Sequence, residues 1–99
     1  MQKMKMFVDT HDKRNGTFPE SIDKDLFGEV YRKYAKACEE EGVVIVNTMV
    51  SAEDGRMYCV NLAPAADAVR RAHEKVGLKF DAITEVSTAS PGDIYFSWK

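Results

Sequence analysis

Long apolar runs, proline, paired cysteines and an excess of either charge are all scarce in this chain of 99 residues. Each scarcity removes a class of protein. No stretch approaches the ~20 consecutive apolar residues that a membrane-spanning helix needs. The opening Met1-Gln2-Lys3-Met4-Lys5-Met6-Phe7-Val8-Asp9 reaches an aspartate before any apolar segment of signal-peptide length. A cytoplasmic protein is therefore expected. Fourteen basic residues against sixteen acidic ones leave a net charge of -2 and a pI near 5.6, which provides no electrostatic footprint for nucleic acid or an anionic membrane. Neither is expected as a partner. The two cysteines, Cys38 and Cys59, are too few and too far apart for a disulfide framework or a CxxC-type zinc site. Asn15-Gly16-Thr17 matches a glycosylation acceptor, but without a secretory signal it reads as a turn.

What is present is enough for one domain spanning residues 1–99. With 44% hydrophobic and 30% charged residues, a chain of this size can bury roughly 65% of its extended surface on folding. Intrinsic disorder is excluded. From Met4 to His11 the chain alternates as a half-buried strand does, with Met4, Met6 and Val8 on one side and Lys5, Phe7, Asp9 and His11 on the other. Asp12 to Pro19 is polar and carries Asn-Gly, so it turns as a loop. Asp23 caps a helix in which Leu26, Phe27, Val30, Tyr31, Tyr34, Ala35 and Cys38 recur at helical spacing until Gly42. Val43–Ser51 and Met57–Leu62, joined through Asp54-Gly55, form a hairpin. Pro64 suits the first turn of a second helix, with Val69, Ala72, His73 and Val76 on its apolar stripe and Gly77 at its end. A fourth strand covers Ala82–Thr88, and after Pro91-Gly92 the aromatic tail Asp93-Ile94-Tyr95-Phe96-Ser97-Trp98 alternates like a further strand.

The order β-α-β-β-α-β specifies an α+β, ferredoxin-like sandwich: one antiparallel sheet, two helices on one face, and an extra C-terminal strand. The opposite face is left bare. A homodimer that covers this open face is the expected partner arrangement.

Placing Met6 and Val8 toward the helices puts Phe7, Asp9 and His11 on the open face, together with Met57, Cys59 and Asn61, and with Ile83, Glu85 and Ser87. Carboxylate, imidazole and thiolate from Asp9, His11, Cys59 and Glu85 suit a divalent transition ion such as nickel or zinc better than magnesium or calcium. The plainer reading of the same residues is a solvated strand end for Asp9 and His11, a small core residue for Cys59, and an ion pair for Glu85. His73 lies on the apolar stripe of the second helix, where a satisfied buried histidine is the ordinary outcome. On this assignment the sheet separates it from Glu85, and only a bulge would bring the two together. Nucleophilic catalysis by Cys59 lacks a local base or a strained turn to support it.

The second half of the chain resembles a known family. Arg56-Met57-Tyr58-Cys59, Ala63-Pro64-Ala65-Ala66-Asp67-Ala68-Val69-Arg70-Arg71-Ala72-His73, Gly77, Phe80-Asp81 and Ile83-Thr84-Glu85-Val86 stand in the order found in a small bacterial family of ferredoxin-like proteins. Its members are mostly uncharacterised and often named nickel-binding proteins. Met6-Phe7-Val8-Asp9-Thr10-His11 and Glu41-Gly42-Val43 extend the resemblance to most of the chain. It implies dimerisation through the sheets, and ligand or pocket roles for Cys59, His73 and Glu85. Lys79 departs from the pattern, standing where proline is common, and the tail from Ser87 to Lys99 runs beyond it.

Together these readings give a small dimeric protein that binds a divalent transition metal, nickel being the metal the resemblance suggests, with Asp9, His11, Cys59, His73 and Glu85 as candidate ligands. The alternative is a cofactor-free enzyme or small-ligand binder of the dimeric α+β barrel type, in which His11 or His73 moves a proton inside a pocket. A purely structural or regulatory partner domain is the third reading.

Overall fold

A computed structural model of the chain describes residues 3–92. The elements follow the order β1 (Lys5–Asp12), α1 (Lys24–Glu40), β2 (Val44–Ser51), β3 (Arg56–Ala63), α2 (Ala66–Lys75) and β4 (Ala82–Val86), with one 3₁₀ turn at Lys13–Asn15. The strands lie in the order β2-β3-β1-β4, and every neighbouring pair is antiparallel. This is the α+β, ferredoxin-like arrangement. The tail strand expected at residues 93–98 lies outside the described residues, and β4 ends at Val86, two residues before the expected Thr88.

Local chemistry accounts for the element ends. The Asp23 carboxylate accepts hydrogen bonds from the backbone N–H groups of Asp25 and Leu26 at 2.7 and 3.2 Å, and Asp25 adds negative charge where the α1 dipole is positive. At the other end, Val43 N–H reaches back to the Cys38 carbonyl at 2.8 Å around Gly42, whose φ is +72°. The same device closes α2, where Leu78 N–H bonds the His73 carbonyl at 2.9 Å. Pro64 lies ahead of α2 rather than in its first turn, because the helix begins at Ala66 after an extended Ala65.

The side of the sheet on which each residue falls corrects the expectation from alternation. The odd-numbered residues of β1 and β3 share a face as expected, but that face lies under the helices. Phe7, Ala63, Tyr34, Ala37, Val69 and Ala72 form one apolar cluster, and Phe18, Met57 and Cys59 form a second. Met6, Val8, Thr10, Tyr58, Val60 and Leu62 are half-buried on the open face instead. Alternation alone distinguishes two faces without saying which is covered, and both sets here contain large apolar residues. Phe7 and the small Ala63 settle it, because they pack closely beneath helix residues that are themselves mostly alanine and valine.

Gly55 closes the β2–β3 hairpin with φ +68°, and its carbonyl accepts from Lys13 N–H at 2.9 Å. A Cβ at this position would strike the Lys13 side chain while also forcing an L-residue into left-handed backbone. Gly55→Ala is expected to cost about 1–2 kcal/mol of stability. Urea unfolding of the two proteins measures this, and equal midpoints would show that the hairpin tip tolerates both demands.

Candidate metal centre

Asp9 lies in the middle of β1, opposite Cys59 of β3 and Ile83 of β4. It occupies one of the two inner strands of the sheet, and its side chain is fully buried. Two residues on, the same face carries His11. From above, the last turn of α2 delivers His73. All three side chains are sealed from solvent.

Both imidazoles present Nε2 to the same oxygen. His11 Nε2 lies 2.8 Å from Asp9 Oδ1, and His73 Nε2 lies 3.1 Å from it. The rings stack at a centroid distance of 5.5 Å, 25° from parallel. Their other nitrogens are committed. His11 Nδ1 donates to the Lys79 carbonyl at 2.6 Å and the Thr17 carbonyl at 3.2 Å, and His73 Nδ1 donates to the Val69 carbonyl at 2.8 Å. Carbonyl oxygens only accept, so each Nδ1 carries a hydrogen, and in a neutral ring each Nε2 is left with a lone pair.

Two imidazole lone pairs and a carboxylate oxygen thus converge on one point. Without a positive charge between them they repel, and either protons or a metal ion can supply that charge. The three ligand atoms lie within 4.8 Å of one another, and among the described residues no other group of three or more histidine, cysteine or acidic residues does so.

The loops that hold the carbonyl partners are themselves latched. Thr17 Oγ1 donates to Asp81 Oδ1 at 2.6 Å and accepts from Asp12 N–H at 2.8 Å, while Asp81 N–H bonds the Thr10 carbonyl at 2.7 Å. These bonds fix the carbonyls of Thr17 and Lys79 around His11. Lys79, the departure from the family pattern, acts here through its backbone oxygen, which any residue provides.

Asn61 completes the carboxylate's environment, its Nδ2 donating to Asp9 Oδ2 at 2.7 Å. The Asn61 Oδ1 and the Tyr34 hydroxyl are the two buried side-chain polar atoms left without a hydrogen-bond partner among the described residues. Both belong to residues at this centre, since the Tyr34 ring lies 4.7 Å from that of His73. Phe80 closes another side at 5.0 Å. Alternation already placed Asn61 on the face of Asp9 and His11, but its bond to the carboxylate and the place of Tyr34 at the centre were not legible. The available signal was a lone amide at an odd position of β3, between the apolar neighbours Val60 and Leu62.

The other two candidate ligands lie outside this group. Cys59 is buried beside Asp9, but burial and then the Asp9 charge push its thiol pKa far up, so the sulfur keeps its proton. Glu85 is exposed on the edge strand β4, opposite Phe7 rather than Asp9. His73 does not meet Glu85, as expected, but it does meet the other face-mates of the strands. Because Asp9 and His11 face the helices, His73 meets them directly and no bulge is needed.

Burial pushes the Asp9 pKa upward, but hydrogen bonds from His11 and His73 and the charge of both rings outweigh it and hold the carboxyl at about 2, below its ordinary value of 3.8. While the rings are protonated, the ionised carboxylate therefore stabilises the fold at about pH 4, and that contribution is lost as pH falls through about 2. Its size is about 2 kcal/mol. Acid titration of stability is expected to show this loss between pH 4 and 2 in the wild-type chain and not in Asp9→Asn. Parallel curves for the two would mean that the imidazoles do not hold the carboxylate.

Comparison with known proteins gives a consistent picture. A family model described as nickel responsive protein SCO4226-like matches residues 7–86, a span running from Phe7 to the last residue of β4. Among solved structures, the crystal structure of SCO4226 from Streptomyces coelicolor A3(2) is similar at 28% identity and a TM-score of 0.72, over 86% of this chain and 99% of that one. No curated protein matches the chain.

Proposed function

The chain belongs to the SCO4226-like family, described as nickel responsive, and from that premise we propose that it binds one divalent transition-metal ion at Asp9, His11 and His73. The observation that carries this reading is the convergence of both Nε2 atoms on Asp9 Oδ1 while both Nδ1 atoms are tied to backbone carbonyls. That arrangement presents metal-ready lone pairs and fixes the tautomer, the work that outer partners do for histidine ligands in metal sites.

The donor set fits such an ion. Two imidazoles and one carboxylate favour nickel, zinc or copper over magnesium or calcium, and the family description favours nickel among them. The orphaned Asn61 Oδ1 and Tyr34 hydroxyl offer further oxygen atoms nearby. A bound ion would supply the positive charge that protons otherwise provide. The chain's own residues do the rest: Asp9 neutralises part of the charge, Thr17, Lys79 and Val69 orient the rings, and Tyr34 and Phe80 help exclude water. Cys38 and Cys59 are buried free thiols, which suits the reducing cytoplasm.

Calorimetric titration of metal-free protein with nickel, zinc and copper is the direct test. One ion per chain is expected, and His11→Gln and His73→Gln should each weaken binding by roughly tenfold or more. Glu85→Ala should leave it unchanged, because that side chain is exposed and away from the centre. Full affinity in His73→Gln, with the fold verified by circular dichroism, would remove the assignment.

The same reading includes a homodimer through the open sheet face. Met6, Val8, Tyr58, Val60 and Leu62 half-bury an apolar surface there, and Val44 and Met49 of β2 are about half exposed beside it. A patch of this kind favours a partner with the same face. Val60, opposite Val8 across the two central strands, is the test position. Val60→Lys is expected to halve the mass seen by light scattering while leaving the metal stoichiometry per chain intact, and a wild-type chain of monomeric mass would exclude the dimer.

A further inference from the structure

A second feature of the helix side lies next to the metal centre and shares Tyr34 with it. Between the first half of α1, the segment 17–22, the start of β3 and the residues after α2 lies a cavity of about 310 Å³. Met57 and Cys59 line it from the sheet, Phe27, Val30 and Tyr34 from α1, and Leu78 from beyond α2. We propose that this cavity is a binding site for a small, uncharged, largely apolar molecule of one or two flat rings.

Charge selects the class first. None of the residues lining the cavity is acidic, basic or histidine. A charged ligand enclosed there would lose its hydration without gaining a counter-charge, at a cost that apolar contact does not recover. Size selects next, because the volume lies at the small end of the range that ligand sites occupy, roughly 300–1,000 Å³. Shape follows from Phe18, Phe27, Tyr31 and Tyr34, four of the lining residues, whose ring faces and edges favour a flat partner.

A further observation points to an occupant. Leu26 is 53% exposed and Val30 37% exposed, although both lie on the apolar stripe of α1 and line the cavity. A ligand would cover surface that the chain itself leaves wet.

The test is a titration of the full-length protein with 1-naphthol, followed by ¹H–¹⁵N correlation spectra, with 1-naphthoate as the charged counterpart of the same ring system. The proposal expects saturable shifts at the amides of Ile22, Leu26, Val30 and Leu78. Naphthoate should bind roughly tenfold or more weakly than naphthol. Val30→Trp, which fills the cavity from a partly exposed position, should weaken naphthol by a similar factor. Leu26→Glu, a surface change that places charge at the cavity's edge, should do the same and serves if the tryptophan variant does not fold. Shifts confined to Tyr58, Val60 and Leu62 on the open face, equal binding of naphthol and naphthoate, or no saturable shift at all would each overturn the proposal.

Discussion

One carboxylate oxygen shared by two imidazoles in a dry interior constrains this fold more than any apolar contact. A charged aspartate at the centre of a small core is costly unless its lone pairs are met. Here Asp9 is met by His11, His73 and Asn61, which come from β1, α2 and β3. The position of α2 over the sheet is therefore set by direction as well as by packing. Val69 and Ala72 only require an apolar surface beneath them, whereas His73 requires Asp9 Oδ1. The helix and strand are 64 residues apart along the chain at this contact, so the polar centre fixes a long-range register that alanine-rich packing would leave loose.

The carbonyl partners extend the same constraint outward. His11 holds its orientation only while Thr17 and Lys79 keep their carbonyls turned inward, and those segments are joined through the Thr17 hydroxyl and the Asp81 carboxylate. Two loops that sequence alone would treat as connectors thus become part of the centre. The hydrophobic clusters on either side, one around Phe7 and one around Phe18 and Met57, keep water from replacing these bonds. The polar contacts specify the arrangement, and the apolar ones make it worth forming.

Much of this was legible in the sequence, but in a particular way. Caps and stops announced themselves, since Asp23, Gly42, Gly55 and Gly77 each solve a backbone problem that few residues solve. Alternation correctly grouped Phe7, Asp9 and His11 with Cys59 and Asn61. It could not say which face the helices cover, because Met6, Val8, Val60 and Leu62 are as apolar as the set they oppose. That ambiguity placed the candidate ligands on the wrong side and hid the meeting with His73. The roles of Thr17 and Lys79 were not legible at all, because a backbone carbonyl leaves no trace in residue identity.

Placing the centre beneath the helices also changes what a dimer would be for. A metal site on the open face would need the second copy to bury it, so binding and association would be one event. With Asp9, His11 and His73 enclosed within a single chain, the two would be separable, because the centre needs no residue from a second copy. A cation held between β1 and the end of α2 would instead tie binding to the folding of its own chain, since the ligands converge only when helix and sheet are docked. The two faces of the sheet thereby differ in kind, one leaving an apolar surface half-buried and the other closed around charge.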